Sequence, residues 1–316
     1  MSTLVLALLF IFLLHSIYSM ISNLAQRIVA CDNLPVLPAI AIKIIELHND
    51  EDLYAAKVAG VISQDPALSA KLLQITNSSF FPFRREVTNV TQAIAILGVN
   101  LAMSVALSSA LIKMLRDSES SSYTFDHQRY WRKSILTALV ASELGDSIAG
   151  LSRGDIYVAA MLQDVGILVL SEVLGDEYIT MYNTARNHYD LVLLEQRNWG
   201  MDHAEAGALL LKSWRFPKKI IDVVERSHCL LFDSEQLDFK QTDLVYAASL
   251  AGVVSEQWLS DVPEEEYVSD ILLGALAHLG EDNYAEVVSR VISAVPSVEA
   301  IFNIDLLSSM QIEKIA

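Results

Sequence analysis

Turn-forming residues are scarce in this chain. It has 12 glycines and 7 prolines in 316 positions, half the share of an average protein, in which the two types together make up about 12%. A fold of many short strands needs a turn signal about every 8–12 residues. These positions cannot supply them, so an all-β sandwich or barrel is excluded and long helices are favoured. Apolar side chains make up 53% of the sequence, which excludes a largely disordered chain. A chain of this length buries a large core without disulfide staples, and the length prior gives two domains or one domain of two lobes.

The helices can be placed from their end signals. Asp65 before Pro66 reads as an N-cap followed by proline at the first helical position. Asn89 with Gln92, and Asp202 with Glu205, read as capping boxes. Pro217 starts a further helix, and Gly98 interrupts one. With the apolar periodicity, these signals predict helices over 39–48, 53–62, 67–76, 93–97, 101–115, 125–144, 177–188, 191–198, 203–214, 217–228 and 242–258. A helical region over 153–174 is expected to break near Gly166, and a charged helix start is expected at Pro263. No fixed-period repeat or strand series is present. The polar, Ser-rich stretch 117–122 marks the boundary between two lobes. The expected division is an apolar N-terminal helix over 1–21, a first lobe over 22–116, a second over 123–258, and acidic helices over 259–316.

Residues 1–26 carry no Lys, Arg, Asp or Glu, and Leu4 to Leu14 is unbroken apolar sequence. Extended to Ile21, the run is 18 residues long, just enough to span a bilayer core of about 30 Å. Three readings stand: a membrane anchor, a buried or oligomer-forming helix, and a cleaved signal peptide lacking the usual basic start. As an anchor, the run would leave Arg27 and Lys43 on the cytoplasmic side, with the globular part, by the positive-inside rule.

The formal charge is −17, which argues against a nucleic-acid polymer as partner, because phosphate contact needs a basic surface. Of this, −13 lies after Leu230. That acidic end reads either as a solvated helical layer or as a docking face for a basic partner. The two cysteines, Cys31 and Cys229, form no zinc or redox spacing and fit a reducing compartment. None of the seven histidines is spaced His-x-x-x-His, and no phosphate-binding glycine loop or Gly-x-Ser-x-Gly elbow occurs.

Several blocks, in order, resemble the HDOD family, the HD-related output domains of bacterial signalling proteins. They are QDPALSAKLLQITNS at 64–78, VTNVTQAIAILG at 87–98, Tyr130–Trp131, AAMLQDVGIL at 159–168, DHAEAGA at 202–208, WRFP at 214–217 and ERSH at 225–228. The resemblance covers residues 21–230 and implies an all-α, two-lobed fold whose second lobe is similar to the HD phosphohydrolases. Those enzymes hold one or two divalent metals through a His, a His-Asp doublet and a later Asp, and the metal makes a nucleophile of bound water. Carried onto this chain, the first His falls near Lys133, the doublet is Gln163–Asp164, and the last Asp falls at Asp243. Two of four ligands are replaced, so the resemblance implies no metal, no cofactor and no catalytic residue, with Lys133 paired to Asp164 in place of a metal charge.

His203 and His228 each have two readings: members of a ligand pocket, or local partners of a helix start and a helix end. Cys229 stands where relatives often carry a second His. The expected ligand-binding set is Lys133, Gln163, Asp164, His203, His228 and Asp243, with the groove between the lobes as the binding place. The function implied is a non-catalytic signal-transduction module binding a protein partner or a small ligand such as a cyclic dinucleotide. The alternative is a metal-dependent phosphohydrolase with an altered site at Asp164, His203, His228 and Asp243.

Overall fold

The computed structural model describes residues 23–48, 50, 52–78, 86–117, 125–147, 153–232, 243–260 and 279–315. Among these residues helices are the only regular structure, as the shortage of turn residues predicts. The first lobe holds α1 (Ala39–His48), α2 (Ala55–Ile62), α3 (Pro66–Thr76), α4 (Val90–Leu97) and α5 (Val99–Asp117). The second holds α6 (His127–Ser147), α7 (Arg153–Leu162), α8 (Val165–Leu174), α9 (Asp176–Thr184), α10 (His188–Trp199), α11 (His203–Ser213), α12 (Lys218–Glu225), α13 (Cys229–Phe232) and α14 (Asp243–Leu259). Two helices follow, α15 (Glu281–Phe302) and α16 (Ser309–Ile315). Of the expected linker 117–122, Asp117 is the last residue of α5; its other residues, the helix start at Pro263 and the apolar run 1–21 lie outside the described residues.

The end signals work as local chemistry. Asp65 accepts from the backbone N–H of Ala67 and Leu68 at 2.8 and 3.1 Å. Asp202 and Glu205 close a full capping box. At Asn89 only half the box forms: Asn89 Oδ1 accepts from Gln92 N–H, while Gln92 Oε1 accepts from Thr88 N–H. Gly98 ends α4 at φ 79°, in the region that favours glycine.

Among the boundaries that differ from expectation, three bear on the site. The region 153–174 breaks at Gln163–Asp164, and Gly166 stays inside α8. Gly166 serves close approach: a Cβ there would stand 1.8 Å from the His203 backbone oxygen, so its absence lets α8 lie on α11. The run expected to end at His188 ends at Thr184, and Asn187 caps a new helix by accepting from Asp190 N–H at 2.8 Å. The run expected to end at His228 ends at Glu225, which leaves His228 in the turn before α13.

The lobes share one continuous core. α5 packs along α7, where Ser104 Oγ donates to Gly154 O at 2.9 Å. Trp214 Nε1 donates to Pro35 O, and Arg27 Nη2 to Val173 O, at 3.2 and 2.7 Å. Between the lobes the described residues leave a crevice of about 20 Å³ among Ile44, Leu107 and Phe216, and another of about 40 Å³ among Ile75, Leu139 and Phe302.

The described residues 279–315 add to this core. Val287, Val291 and Val295 form a buried stripe on α15, which packs against both α3 and α6. Arg132 donates from Nε and Nη2 to Leu306 O at 3.1 and 3.0 Å. Gly154–Leu174 is long and apolar enough to cross a membrane, but 72% of its 18-residue apolar window is buried in the protein, as expected of a core segment.

Candidate functional site

Four helix starts or turns of the second lobe converge. Asp164 sits at the N-cap position of α8, yet its carboxylate makes no capping bond there. His188 and His203 are the first residues of α10 and α11, and His228 precedes α13. One ligand-type atom from each of Asp164, His188, His203 and His228 lies within 4.8 Å of all the others. His203 Nε2 stands 3.5 Å and His188 Nε2 3.7 Å from Asp164 Oδ1, and His188 Nε2 is 3.2 Å from His228 Nε2. The three rings meet edge to face.

Carboxylates hold the far sides of two rings. Glu195, fully buried on α10, meets His203 Nδ1 at 2.7 Å and accepts from His203 N–H at 3.0 Å. Its other oxygen accepts from Tyr178 OH at 2.6 Å. Asp202 Oδ2 faces His228 Nδ1 at 3.4 Å and accepts from Gln196 Nε2 at 3.0 Å.

On the opposite oxygen of Asp164, Lys133 Nζ stands at 3.1 Å, with Glu256 Oε2 3.7 Å away. Glu256 also accepts from His188 N–H at 3.0 Å. Beyond Lys133 opens a cavity of about 330 Å³, with Arg129, Arg132, Lys133 and Arg186 facing Asp126, Asp164 and Glu256.

Titration follows from these neighbours. Burial alone would raise the Asp164 carboxyl, but Lys133 and the imidazoles hold it well below the usual carboxylate range. Burial and the nearby Lys133 charge push His188 well below an ordinary imidazole. Burial opposes protonation of His203, yet Glu195 and Asp164 raise it to about 10. Desolvation of Asp202 is outweighed by His228, which keeps its carboxyl low.

Of the six expected residues, Lys133, Asp164, His203 and His228 come together. Gln163 is adjacent in sequence but turns away, its amide against α14, where a Cβ on Gly252 would stand 2.4 Å from Nε2. The side chain of Asp243 lies outside the described residues. His228 is not the end of a helix, so a role in complementing that helix's dipole is corrected by its placement against Asp202. His188, Glu195 and Glu256 were not expected. An Asn187 cap signal would have marked a helix start at His188, but no local pattern marks the two glutamates.

The HDOD domain family matches residues 34–230, more than half of the chain. An uncharacterized protein of Treponema pallidum (strain Nichols) is 22% identical over 211 residues, 66% of this chain, and the chain spans 40% of that relative's length. An HDOD domain protein of unknown function from Geobacter sulfurreducens has a similar structure, with a TM-score of 0.68 and 21% identity, over 90% of this chain and 98% of that one. A candidate metal-dependent phosphohydrolase from Shewanella amazonensis SB2B gives 0.62 and 19%, over 90% and 99%. A candidate signal transduction protein from Marinobacter aquaeolei VT8 gives 0.62 and 21%, over 85% and 60%. These likenesses establish the shared helical fold. By sequence and by architecture the chain belongs to the HDOD family.

Proposed function

We propose that the chain is a non-catalytic module that takes a small anionic ligand into the second-lobe cavity and signals its occupancy to a protein partner. The observation that carries this reading is the position of Lys133. Its ammonium, 3.1 Å from Asp164 Oδ2, stands where the phosphohydrolase likeness implies a metal ligand. The doublet's other member, Gln163, faces α14. This ligand set does not fit the two-metal centre of an HD enzyme, because a fixed cation occupies the space beside Oδ2 and repels a second one.

The cavity's composition sets the ligand class. Four cationic side chains line it against three carboxylates, in a chain whose formal charge is −17. A phosphate-bearing ligand suits such a wall. The volume of about 330 Å³ accepts a mononucleotide or one end of a cyclic dinucleotide. The reading includes residues 4–21 as a tether to the inner membrane, with the module on the cytoplasmic side. Fractionation of the full chain against a version beginning at Ile21 tests the tether: the full chain is expected with membranes, and equal solubility removes it.

Equilibrium dialysis against cyclic mono- and dinucleotides tests the ligand. Saturable binding, weakened about tenfold by Arg129→Ala, one charge-assisted contact, is the expected result. Binding unaffected by Arg129→Ala and Lys133→Met, or no binding by any of these nucleotides, removes the proposed ligand class.

A further inference from the structure

Arg132 belongs to two places at once. It lines the second-lobe cavity, and its guanidinium holds the segment that leads into α16. We propose that Leu306 and Gln311 position Arg132 for the cavity's anion, so that filling the cavity and docking α16 strengthen each other. The proposal rests on the reading above that this cavity takes an anion.

The division of donors carries the argument. A guanidinium offers a planar fork of N–H groups. Nε and Nη2 both donate to Leu306 O, at 3.1 and 3.0 Å, and Nη2 also donates to Gln311 Oε1 at 3.1 Å. Nη1 makes none of these bonds. A phosphate can therefore meet Nη1 without displacing Leu306 or Gln311. Both acceptors are neutral, so they leave the Arg132 charge uncompensated. Lys133 and Arg186 on the same wall instead face carboxylates, at Asp164 and Asp190.

The holding groups are themselves held. Leu306 is fully buried, and its N–H donates to Glu299 Oε1 on α15 at 2.8 Å. Gln311 closes a capping box with Ser308. Its Oε1 accepts from Ser308 N–H at 2.9 Å, and Ser308 Oγ accepts from Gln311 N–H at 3.2 Å. Gln311 Nε2 donates to Leu259 O at 3.1 Å, and Leu259 also lines the cavity. One buried amide thus ties the start of α16 to two points on the cavity's rim.

A long side chain loses rotamer freedom when it grips a ligand. Docked α16 removes that freedom from Arg132 before an anion arrives, and so raises the anion's affinity. Linkage makes the effect reciprocal: an anion that prefers the docked state stabilises docking by the same factor. The segment 303–311 is then the part of the chain that registers whether the cavity is filled.

The test uses full-length protein and inorganic pyrophosphate, read by calorimetry and by limited proteolysis. Pyrophosphate should bind, and saturation should slow cleavage at 303–308 about fivefold or more, as for coupled sites. Gln311→Leu, which alters no residue of the cavity wall, should weaken pyrophosphate by a similar factor with an unchanged helical circular dichroism spectrum. Lys314→Ala, exposed on the same helix, should leave both readouts as in the wild type. Arg132→Lys keeps a charge in the cavity without the fork. Pyrophosphate should no longer slow cleavage in that variant, which decides the matter if Gln311→Leu fails to fold. Binding with unchanged cleavage and with full affinity in Gln311→Leu overturns the coupling and leaves the cavity's ligand standing. Faster cleavage in pyrophosphate also overturns it, because the anion then competes for Arg132. Absence of pyrophosphate binding overturns it too, and the nucleotide dialysis then decides the cavity's ligand by itself.

Discussion

Lys133 and Asp164 form a buried ion pair, 3.1 Å apart, across the boundary between the cavity and the histidine cluster. One residue comes from the second turn of α6 and the other from the turn between α7 and α8, so the pair joins helices that build the second lobe. Removing one partner of a buried pair strands the other charge. Lys133→Ala is expected to cost about 3–5 kcal/mol. The double variant Lys133→Met with Asp164→Leu should be less destabilised than the sum of the two single changes. Urea unfolding of the three variants measures this, and additive losses would contradict the coupling.

Gly166 and Gly60 make a matched contrast. Alanine at 166 puts a Cβ 1.8 Å from the His203 backbone oxygen and must push α8 from α11, for about 2 kcal/mol or more. Gly60 lies exposed on α2 with nothing within 4 Å of a new Cβ. Gly60→Ala should stabilise by about 0.5–1 kcal/mol. Thermal melts of the two variants are expected to move in opposite directions.

The start of α10, which carries His188, is held in part by the Arg186–Asp190 pair at 3.3 Å. The Arg186 side chain and backbone N–H keep the Asp190 carboxyl below its ordinary 3.8. A depressed acid contributes stability above its unfolded value and loses it as pH falls through the folded one. The Asp190 carboxyl titration followed by NMR should therefore lie below 3.8 and rise toward it in Arg186→Gln. An unchanged midpoint would sink this assignment.

Arg132 fixes the chain's end by donating to Leu306 O and to Gln311 Oε1. Arg132→Ala should cost about 1.5–3 kcal/mol, as for hydrogen bonds from a charged donor. Cleavage near 303–308 in limited proteolysis should become faster. Equal cleavage rates would place the hold on α16 elsewhere.

What the sequence made legible was local. Asp65, Asp202 and Pro217 mark helix starts through side chains and ring constraints that act within one turn, and each start was read where it occurs. The pairing of Lys133 with Asp164 was read through likeness to a family whose metal position they alter. His188 was missed because its link to Asp164 arises from the fold of α8, α9 and α10. Glu195 looks like one more acid on an amphipathic helix until α11 packs over it. The break read near Gly166 falls just before it, at Gln163–Asp164, because composition does not distinguish a flexible glycine from one needed for close contact. The last part of the chain looked like an addition because a net charge says nothing of the buried valine stripe on α15.

The central claim is that this second lobe binds and signals without hydrolysing. Its most direct test is a phosphodiesterase assay of purified full-length protein with Mn²⁺ or Mg²⁺, run beside Asp164→Ala. The account predicts no turnover above the metal-only background in either protein. Turnover by the wild-type chain that disappears in Asp164→Ala would contradict it and establish a hydrolytic site at Asp164.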